Sequence, residues 1–183
     1  CASHGESSAL WGSSLLLKEV ALSAKFAAAQ VLVKGAQYEE AERRLEALLQ
    51  EYEEAFGGEG KNAKQGLIIM KLGEVYAGTN RLTLAEGLYR NAAKLLGGDA
   101  ATGLSIFDDP AGQVGCHESC IALLESKYSD LLKVVPKRDA EAAKVLERSQ
   151  ERWKEKVSSL GSVQEASLQG LVDLQTQRLY YFT

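Results

Sequence analysis

The chain has 183 residues and a net charge of −4, with only two prolines, 24 alanines and 27 leucines. This length supports one domain with a substantial hydrophobic core, and the mildly acidic charge argues against a typical nucleic-acid-binding protein. A chain rich in alanine and leucine and poor in proline is typical of an all-α fold.

Residues 1–12 are mostly small and polar, which predicts a flexible leader. The first residue is Cys1, and the opening Cys-Ala-Ser is similar to the start of a chloroplast protein after removal of its transit peptide. Three cysteines do not make a secreted disulfide framework, and no apolar run approaches the 18 residues of a membrane span. We therefore expect a soluble intracellular protein, with the chloroplast as one candidate compartment.

Apolar residues recur at steps of three and four through the first half of the chain, which predicts four amphipathic helices. Glycine-containing segments separate them, as is common after helix C-termini. The predicted helices span Ser13–Lys34, Tyr38–Phe56, Ala63–Ala77 and Leu82–Leu96.

The second half begins with a long irregular stretch. Residues 98–115 contain four of the chain's glycines and an Asp-Asp-Pro sequence, which favours a loop or hinge. Residues 116–183 are predicted to form a C-terminal helical pair followed by a capping helix. These three helices span Cys116–Val134, Asp139–Leu160 and Val163–Tyr180.

Seven residues of the third and fourth predicted helices resemble the tetratricopeptide repeat, a pair of antiparallel helices that stacks into arrays. They are Ile69, Leu72, Gly73, Tyr76, Ala85, Tyr89 and Ala92. Small residues are needed where the two helices cross closely, and aromatic residues fill the wider gaps beside the crossing. Ile69 replaces the usual tryptophan of the motif, and Gly97 replaces its terminal proline.

A looser copy precedes this repeat. Ala41-Glu42 in the second predicted helix lies 44 residues before Ala85-Glu86, an interval similar to the longer repeat of kinesin light chains. The resemblance covers about residues 13–97. It implies two helix pairs there and, for the whole chain, a right-handed α–α solenoid of about seven helices whose last helix caps the array.

The resemblance also implies a partner-binding groove on the first helix of each pair, where a peptide helix or an extended segment would lie. The predicted groove residues are Leu22, Lys25, Ala29, Leu67, Met70 and Glu74. Some members of the family clamp a C-terminal carboxylate with lysine and asparagine, but Ala29 and Glu74 do not fit that chemistry. The alternative is that the C-terminal helices bury these positions in so short an array.

Cys116, His117 and Cys120 form the sharpest cluster of soft ligands, a chemistry that suits zinc. A structural zinc site needs four ligands, however, and no second Cys/His pair exists in the sequence. The competing interpretation is that the two cysteines pack as small apolar residues of a helix. A redox or nucleophilic role for Cys116 would need a basic partner, and none is evident.

No phosphate-binding glycine loop, nucleophile elbow or zinc-protease motif is present, so we expect neither catalysis nor a cofactor. The densest basic stretches, 133–138 and 144–156, belong to a part of the chain in which acidic residues are interleaved, so no nucleic-acid partner is expected.

The aromatic end of the chain has two interpretations. Tyr180, Tyr181 and Phe182 either pack back near Trp153 or anchor a neighbouring protein. We expect a non-catalytic protein-interaction or assembly module. The alternatives are a permanent structural subunit of a larger complex, plausibly in a plastid, and a metal- or thiol-dependent module at Cys116–Cys120.

Overall fold

A computed structural model of the chain describes residues 5–56, 63–96, 118–157, 162–165, 171–174 and 178–180. These residues contain six α-helices and one antiparallel pair of short strands. The helices are α1 (Gly5–Lys34), α2 (Tyr38–Phe56), α3 (Ala63–Gly78), α4 (Leu82–Leu96), α5 (Glu118–Lys133) and α6 (Asp139–Val157). The strands are β1 (Leu171–Asp173) and β2 (Arg178–Tyr180), and Val172 pairs opposite Leu179.

The predicted helical fold is confirmed. α2 and α4 have the predicted bounds, and α3 is one residue longer than predicted. α6 follows the prediction as far as Val157, beyond which residues 158–160 lie outside the described part of the chain. The predicted loop at 98–115 and the predicted start of the fifth helix at Cys116 also lie outside it.

The predicted flexible leader is wrong from Gly5 onward, because α1 begins there and runs for 30 residues. The segment before Ser13 contains no proline, and Glu6, Ala9 and Leu10 are good helix formers. The segment is therefore compatible with a helix, although its serines are frequent helix caps and Gly12 is a poor helix former. Residues 1–4 lie outside the described residues.

The predicted seventh helix, Val163–Tyr180, is also wrong. Among its described residues, 163–165 are helical, whereas 171–173 and 178–180 form the strands β1 and β2. Val172 and Leu174 are buried and Asp173 is less so, which is the alternation of a strand and not the three- or four-residue step of a helix. Gly170 stands immediately before β1 in the sequence and weakens the helical pattern.

Short turns join the helices into three antiparallel pairs, α1–α2, α3–α4 and α5–α6. Each turn contains one residue in the left-handed region: Ala36 with φ 55°, Asn80 with φ 61° and Lys137 with φ 66°. Asparagine adopts this conformation more readily than alanine or lysine. Because the left-handed residue stands at the same position in each turn, the three pairs share one turn geometry.

The second helices of the three pairs bury matching positions. Ala85 follows Ala41 by 44 residues, and Ala142 follows Ala85 by 57. Counting on from these alanines, the buried positions are Leu45, Leu48 and Tyr52 in α2, then Tyr89, Ala92 and Leu96 in α4, and Ser149 and Trp153 in α6. The third pair thus repeats the first two, although its sequence interval is 13 residues longer.

An arginine immediately before α4 and another immediately before α6 each contact the preceding helix pair. Arg81 donates two hydrogen bonds of 2.7 Å to the Glu42 carboxylate on α2. Arg138 donates one of 2.8 Å to Glu86 on α4. Glu86 occupies the position in α4 that Glu42 occupies in α2, so one ion pair recurs between successive pairs.

A single hydrophobic core runs through all six helices and β1. α1 contacts α3 and α3 contacts α5, so the first helices of the three pairs lie side by side. β1 lies against α1 and β2 against α5. The strand pair therefore covers part of the face that these first helices share.

Candidate functional site

The face shared by the first helices contains a pocket of about 410 Å³. Its lining residues come from α1, α3 and α5, with contributions from the first turn of α2 and from α4. They are Gln30, Val33, Lys34, Tyr38, Lys71, Glu74, Ala77, Gly78, Leu82, Tyr89, Lys127, Asp130, Leu131 and Val134. The volume falls in the range of ligand-binding pockets, roughly 300–1,000 Å³.

Four charged side chains meet in this pocket. The Lys71 Nζ donates a 2.6 Å hydrogen bond to the Glu74 Oε1, one turn along α3. The Lys127 Nζ approaches the other carboxylate oxygen of Glu74 at 3.8 Å from α5. Lys34, the last residue of α1, is close enough to interact electrostatically with Glu74, Lys71 and Lys127. Three ammonium groups therefore surround one carboxylate.

The carboxylate of Glu74 is largely shielded from solvent, with its side chain 10 % exposed, and it is ionised. Burial raises the pKa of this carboxyl group. The charges of Lys71 and Lys127, the hydrogen bond from Lys71 and the charge of Lys34 together lower the pKa by more than burial raises it, so the net shift is downward. Glu74 thus carries its negative charge at neutral pH and holds the two nearest lysines in place.

The electrostatic balance at Lys34 differs. Burial lowers the pKa of this ammonium group, and repulsion from Lys71 and Lys127 lowers it further, against a smaller opposing effect of Glu74. The net shift of the pKa is downward, so this ammonium group loses its proton more readily than an ordinary lysine.

The rim of the pocket combines a carboxylate with an exposed apolar side chain. Asp130 is exposed and accepts a 2.8 Å hydrogen bond from Lys133, so its charge is already paired on the outer surface of α5. Val134 is 61 % exposed although it is aliphatic. The entrance is therefore amphipathic, with an apolar side chain next to the charged interior.

The predicted open groove is largely wrong. The structure buries Leu22, Ala29, Leu67 and Met70 in the core, because neighbouring helices and the strand pair pack over the face that they occupy. Lys25 is exposed and contacts Glu51 on α2 at 2.5 Å. Of the six predicted residues, only Glu74 lines the pocket.

Gln30 shows how the C-terminal strands close over α1. Its buried side-chain amide donates a 2.7 Å hydrogen bond to the Val172 carbonyl oxygen and accepts a 2.9 Å bond from the Val172 N–H. One glutamine thereby satisfies both backbone groups on the outer edge of β1, as a neighbouring strand would.

The remaining predicted residues lie only partly within the described part of the chain. Cys120 is buried in α5, whereas Cys116 and His117 lie outside the described residues. Among the residues described, no group of three or more His, Cys, Asp or Glu side chains could hold a metal ion. Tyr180 lies in β2, and Tyr181 and Phe182 lie outside the described residues.

The three lysines of the pocket were not predicted from the sequence. One signal was available, since Lys71 interrupts the apolar run Leu67–Leu72 of a helix buried on nearly every side. A buried lysine requires a charged partner, and Glu74 stands one helical turn away. The contributions of Lys34 and Lys127 depend on helix packing, which spacing along one helix does not reveal.

Comparison of the chain with models of known protein families, with curated proteins and with solved structures gives no match. Across the part of the chain that is described, no helix has the length and apolar character needed to cross a membrane.

Proposed function

We propose that this chain is a non-catalytic protein-interaction or assembly module, built as a right-handed solenoid of tetratricopeptide-like helix pairs. The observation that carries the proposal is the recurrence of one helix pair three times, with the first helices lining a common pocket. Repeated helix pairs place their first helices side by side and use the resulting surface to bind peptides or proteins.

Contacts of the motif residues support the tetratricopeptide-like assignment. A β-carbon on Gly73 would lie 2.7 Å from the ring of Tyr89, so the close crossing of α3 and α4 requires glycine there. Ala85 and Ala92 are fully buried, as the motif requires of its small positions. The ion pairs Arg81–Glu42 and Arg138–Glu86 add a repeated contact between successive pairs.

The binding surface that we propose is the pocket and its rim at Val134. Buried charges give the pocket specificity, and an exposed aliphatic side chain beside it provides the apolar contact that a bound segment needs. This surface replaces the groove expected from the motif alone.

A second candidate, a permanent subunit of a larger complex, is favoured by α1. Leu16, Leu17 and Val20 are each about half exposed or more, and they lie within two turns of one helix. Such a cluster is typical of surfaces that a neighbouring subunit covers. The two candidates therefore place the interface on different parts of the molecule.

Paired aspartate substitutions test whether the interface is at the pocket or on the exposed cluster of α1. Val134→Asp places a charge on the pocket rim, whereas Val31→Asp is a matched control at an equally exposed valine of α1 outside the pocket lining. Proteins that co-purify with the native chain are identified, and the affinity of each purified partner for the two variants is measured by calorimetry.

We expect Val134→Asp to weaken binding at least tenfold and Val31→Asp to leave it unchanged. A partner lost with Leu17→Asp but retained with Val134→Asp would instead assign the interface to α1. An isolated chain that is stable, monomeric and without any specific partner would refute both.

A further inference from the structure

We propose that the surface on which β1 lies binds an extended segment of a partner protein, and that β1 is an intramolecular occupant which this segment replaces. This surface, the β1 site, consists of α1 at Gln30 and of the edge of β2 that pairs with β1. The proposal rests on the proposed interaction role and deepens it, because it adds a second binding surface besides the pocket and states the conformation of the segment that binds there.

The backbone of β1 is held on both of its edges. On one edge, the Gln30 side chain donates a 2.7 Å hydrogen bond to the Val172 carbonyl oxygen and accepts a 2.9 Å bond from the Val172 N–H. On the other edge β1 pairs with β2, and Val172 stands opposite Leu179. Backbone N–H and C=O groups are present in every residue except proline, which lacks the N–H. These contacts therefore recognise an extended backbone, in the manner of strand addition to a sheet edge.

Two alternate side chains supply the apolar part of the contact. Val172 and Leu174 are each 2 % exposed, whereas Asp173 between them is partly exposed. Alternate residues of a strand point to opposite faces, so residues 172 and 174 face the core together. A partner segment that replaces β1 therefore needs aliphatic residues two positions apart in an extended conformation.

β1 has less support than the helices. Each of the two strands has three residues, and a two-stranded hairpin is at best marginally stable by itself in water. β1 lies against α1 and β2 against α5, whereas the helices of each pair pack against each other and share the core. Release of β1 would thus be a local opening that leaves the helix pairs folded.

The covalent link between β1 and the rest of the chain predicts competition. A segment of the same chain is present at a high effective concentration, and it therefore excludes a free segment of equal intrinsic affinity. We expect a free segment to bind the native chain weakly, and to bind much more tightly when β1 can no longer occupy its own site.

The experiment weakens β1 within the chain and supplies the native segment separately. The probe is a fluorescent, end-blocked peptide with the sequence of residues 168–176, and its matched control peptide carries the Val172→Asp substitution. Fluorescence anisotropy compares the native chain with the Val172→Asp and Leu174→Asp chains. The Val31→Asp chain is the control, because it carries the same substitution at an exposed valine of α1. Circular dichroism verifies that each chain is folded.

We expect the Val172→Asp chain to bind the native peptide at least tenfold more tightly than the native and Val31→Asp chains do. The control peptide should bind at least tenfold more weakly than the native peptide. Adding Gln30→Leu to the Val172→Asp chain should weaken binding of the native peptide roughly tenfold or more, because two hydrogen bonds to its backbone are lost.

The proposal is overturned if the folded Val172→Asp and Leu174→Asp chains both fail to bind the native peptide, or if Gln30→Leu leaves its binding unchanged. It is overturned equally if the native chain binds the peptide as tightly as the Val172→Asp chain, since β1 would then not block the site. Two aspartate variants are included so that the loss of one folded chain leaves the test intact.

Sedimentation velocity of the native chain tests the other occupant. A dimer that is lost with Val172→Asp would assign the β1 site to β1 of a second copy, and the commitment to a partner segment would be wrong. None of these measurements uses the pocket rim or a partner protein, so their failure is distinguishable from failure of the interaction role.

Discussion

Gly73 and Tyr89 meet where α3 crosses α4, and this contact decides how closely the second helix pair can pack. A β-carbon at Gly73 would lie 2.7 and 2.8 Å from two carbons of the Tyr89 ring. The Tyr89 side chain is almost fully buried, so its ring cannot leave the helix crossing for solvent. Packing, and not backbone conformation, therefore requires the glycine.

We expect Gly73→Ala to destabilise the protein. Overpacking costs about 1–3 kcal/mol, which exceeds the gain of about 0.5–1 kcal/mol that alanine brings to a helix interior. Gly87→Ala is the matched control, because a β-carbon on Gly87 of α4 meets no atom within 4 Å. Urea denaturation should show a loss of stability for the first variant and a gain for the second. Equal gains would contradict the close crossing.

The charge of Glu74 should make the free energy of unfolding depend on pH. Its folded-state pKa lies below the ordinary value of 4.5, because three lysines outweigh the effect of burial. Such a carboxylate stabilises the folded state at pH values above 4.5, and this contribution is lost as the pH falls through the folded-state pKa.

We therefore expect Glu74→Gln to lower the free energy of unfolding by about 1–3 kcal/mol at pH 7, as for other buried partners left unpaired. The difference between the variant and the native chain should shrink as the pH falls below 4.5. Denaturation series at pH 7, 5, 4 and 3 would measure it, with Glu54→Gln on the exposed face of α2 as the control. A difference independent of pH would contradict the assignment of charge to Glu74.

At the scale of helices and turns, Arg138 links three parts of the fold. It donates hydrogen bonds to Glu141 at the start of α6, to Glu86 on α4 and to the Tyr128 hydroxyl group on α5. The planar guanidinium group reaches several partners at once, which a lysine at this position could not do. The contact is partly buried, so solvent screens it less than an exposed pair.

A double-mutant cycle should detect this link. We expect Arg138→Lys to cost about 1–2 kcal/mol, and the cycle with Glu86→Gln to give a coupling energy of about 0.5–1.5 kcal/mol. The exposed pair Lys133–Asp130 is the control, and Lys133→Gln should cost less than about 0.5 kcal/mol. Thermal and chemical denaturation measure both. Similar costs for the two pairs would show that Arg138 is an ordinary surface residue.

The helices could be predicted from the sequence because their buried positions recur along one element. Ala41, Leu45 and Leu48 repeat at three- and four-residue steps, and so do Ala85, Tyr89 and Ala92. The third pair was predicted as a helical pair without the full motif, and its interval from Ala85 to Ala142 is 57 residues instead of 44. The short strands were missed because an apolar segment of a few residues fits both periodicities.

The pocket could not be predicted from the sequence either, for a different reason. Lys34, Lys71 and Lys127 belong to three helices, and their proximity follows from the packing of the helix pairs. The buried position of Met70 was equally invisible, since a face that is apolar in the sequence serves a groove or a core equally well. Only the position of the strand pair distinguishes the two.

At the scale of the whole molecule, the amide of Gln30 joins α1 to β1 across the shared face. Both of its hydrogen bonds are to the backbone of Val172, and both groups are buried. Without Gln30, the N–H and the carbonyl group of Val172 would lose their partners, and each unsatisfied group costs about 1–3 kcal/mol.

We expect Gln30→Leu to release β1 from α1 while the helix pairs stay folded. Amide hydrogen exchange at Val172 should accelerate at least tenfold, and amides in α2 and α4 should change little. Gln50→Leu is the control, because Gln50 is exposed and Glu54, in the same helix, accepts its hydrogen bond. Unchanged exchange at Val172 would show that apolar packing alone holds the strand.

The two hydrogen bonds between Gln30 and Val172 also bear on the order in which the parts of the chain fold. These residues are 142 positions apart, whereas turns of three to five residues close the helix pairs. Local pairs form before distant ones, because closing a long loop costs more chain entropy. We therefore expect the helix pairs to form before β1 reaches α1, so that the inner side of α1 is covered last. Until β1 covers it, this apolar surface would favour aggregation.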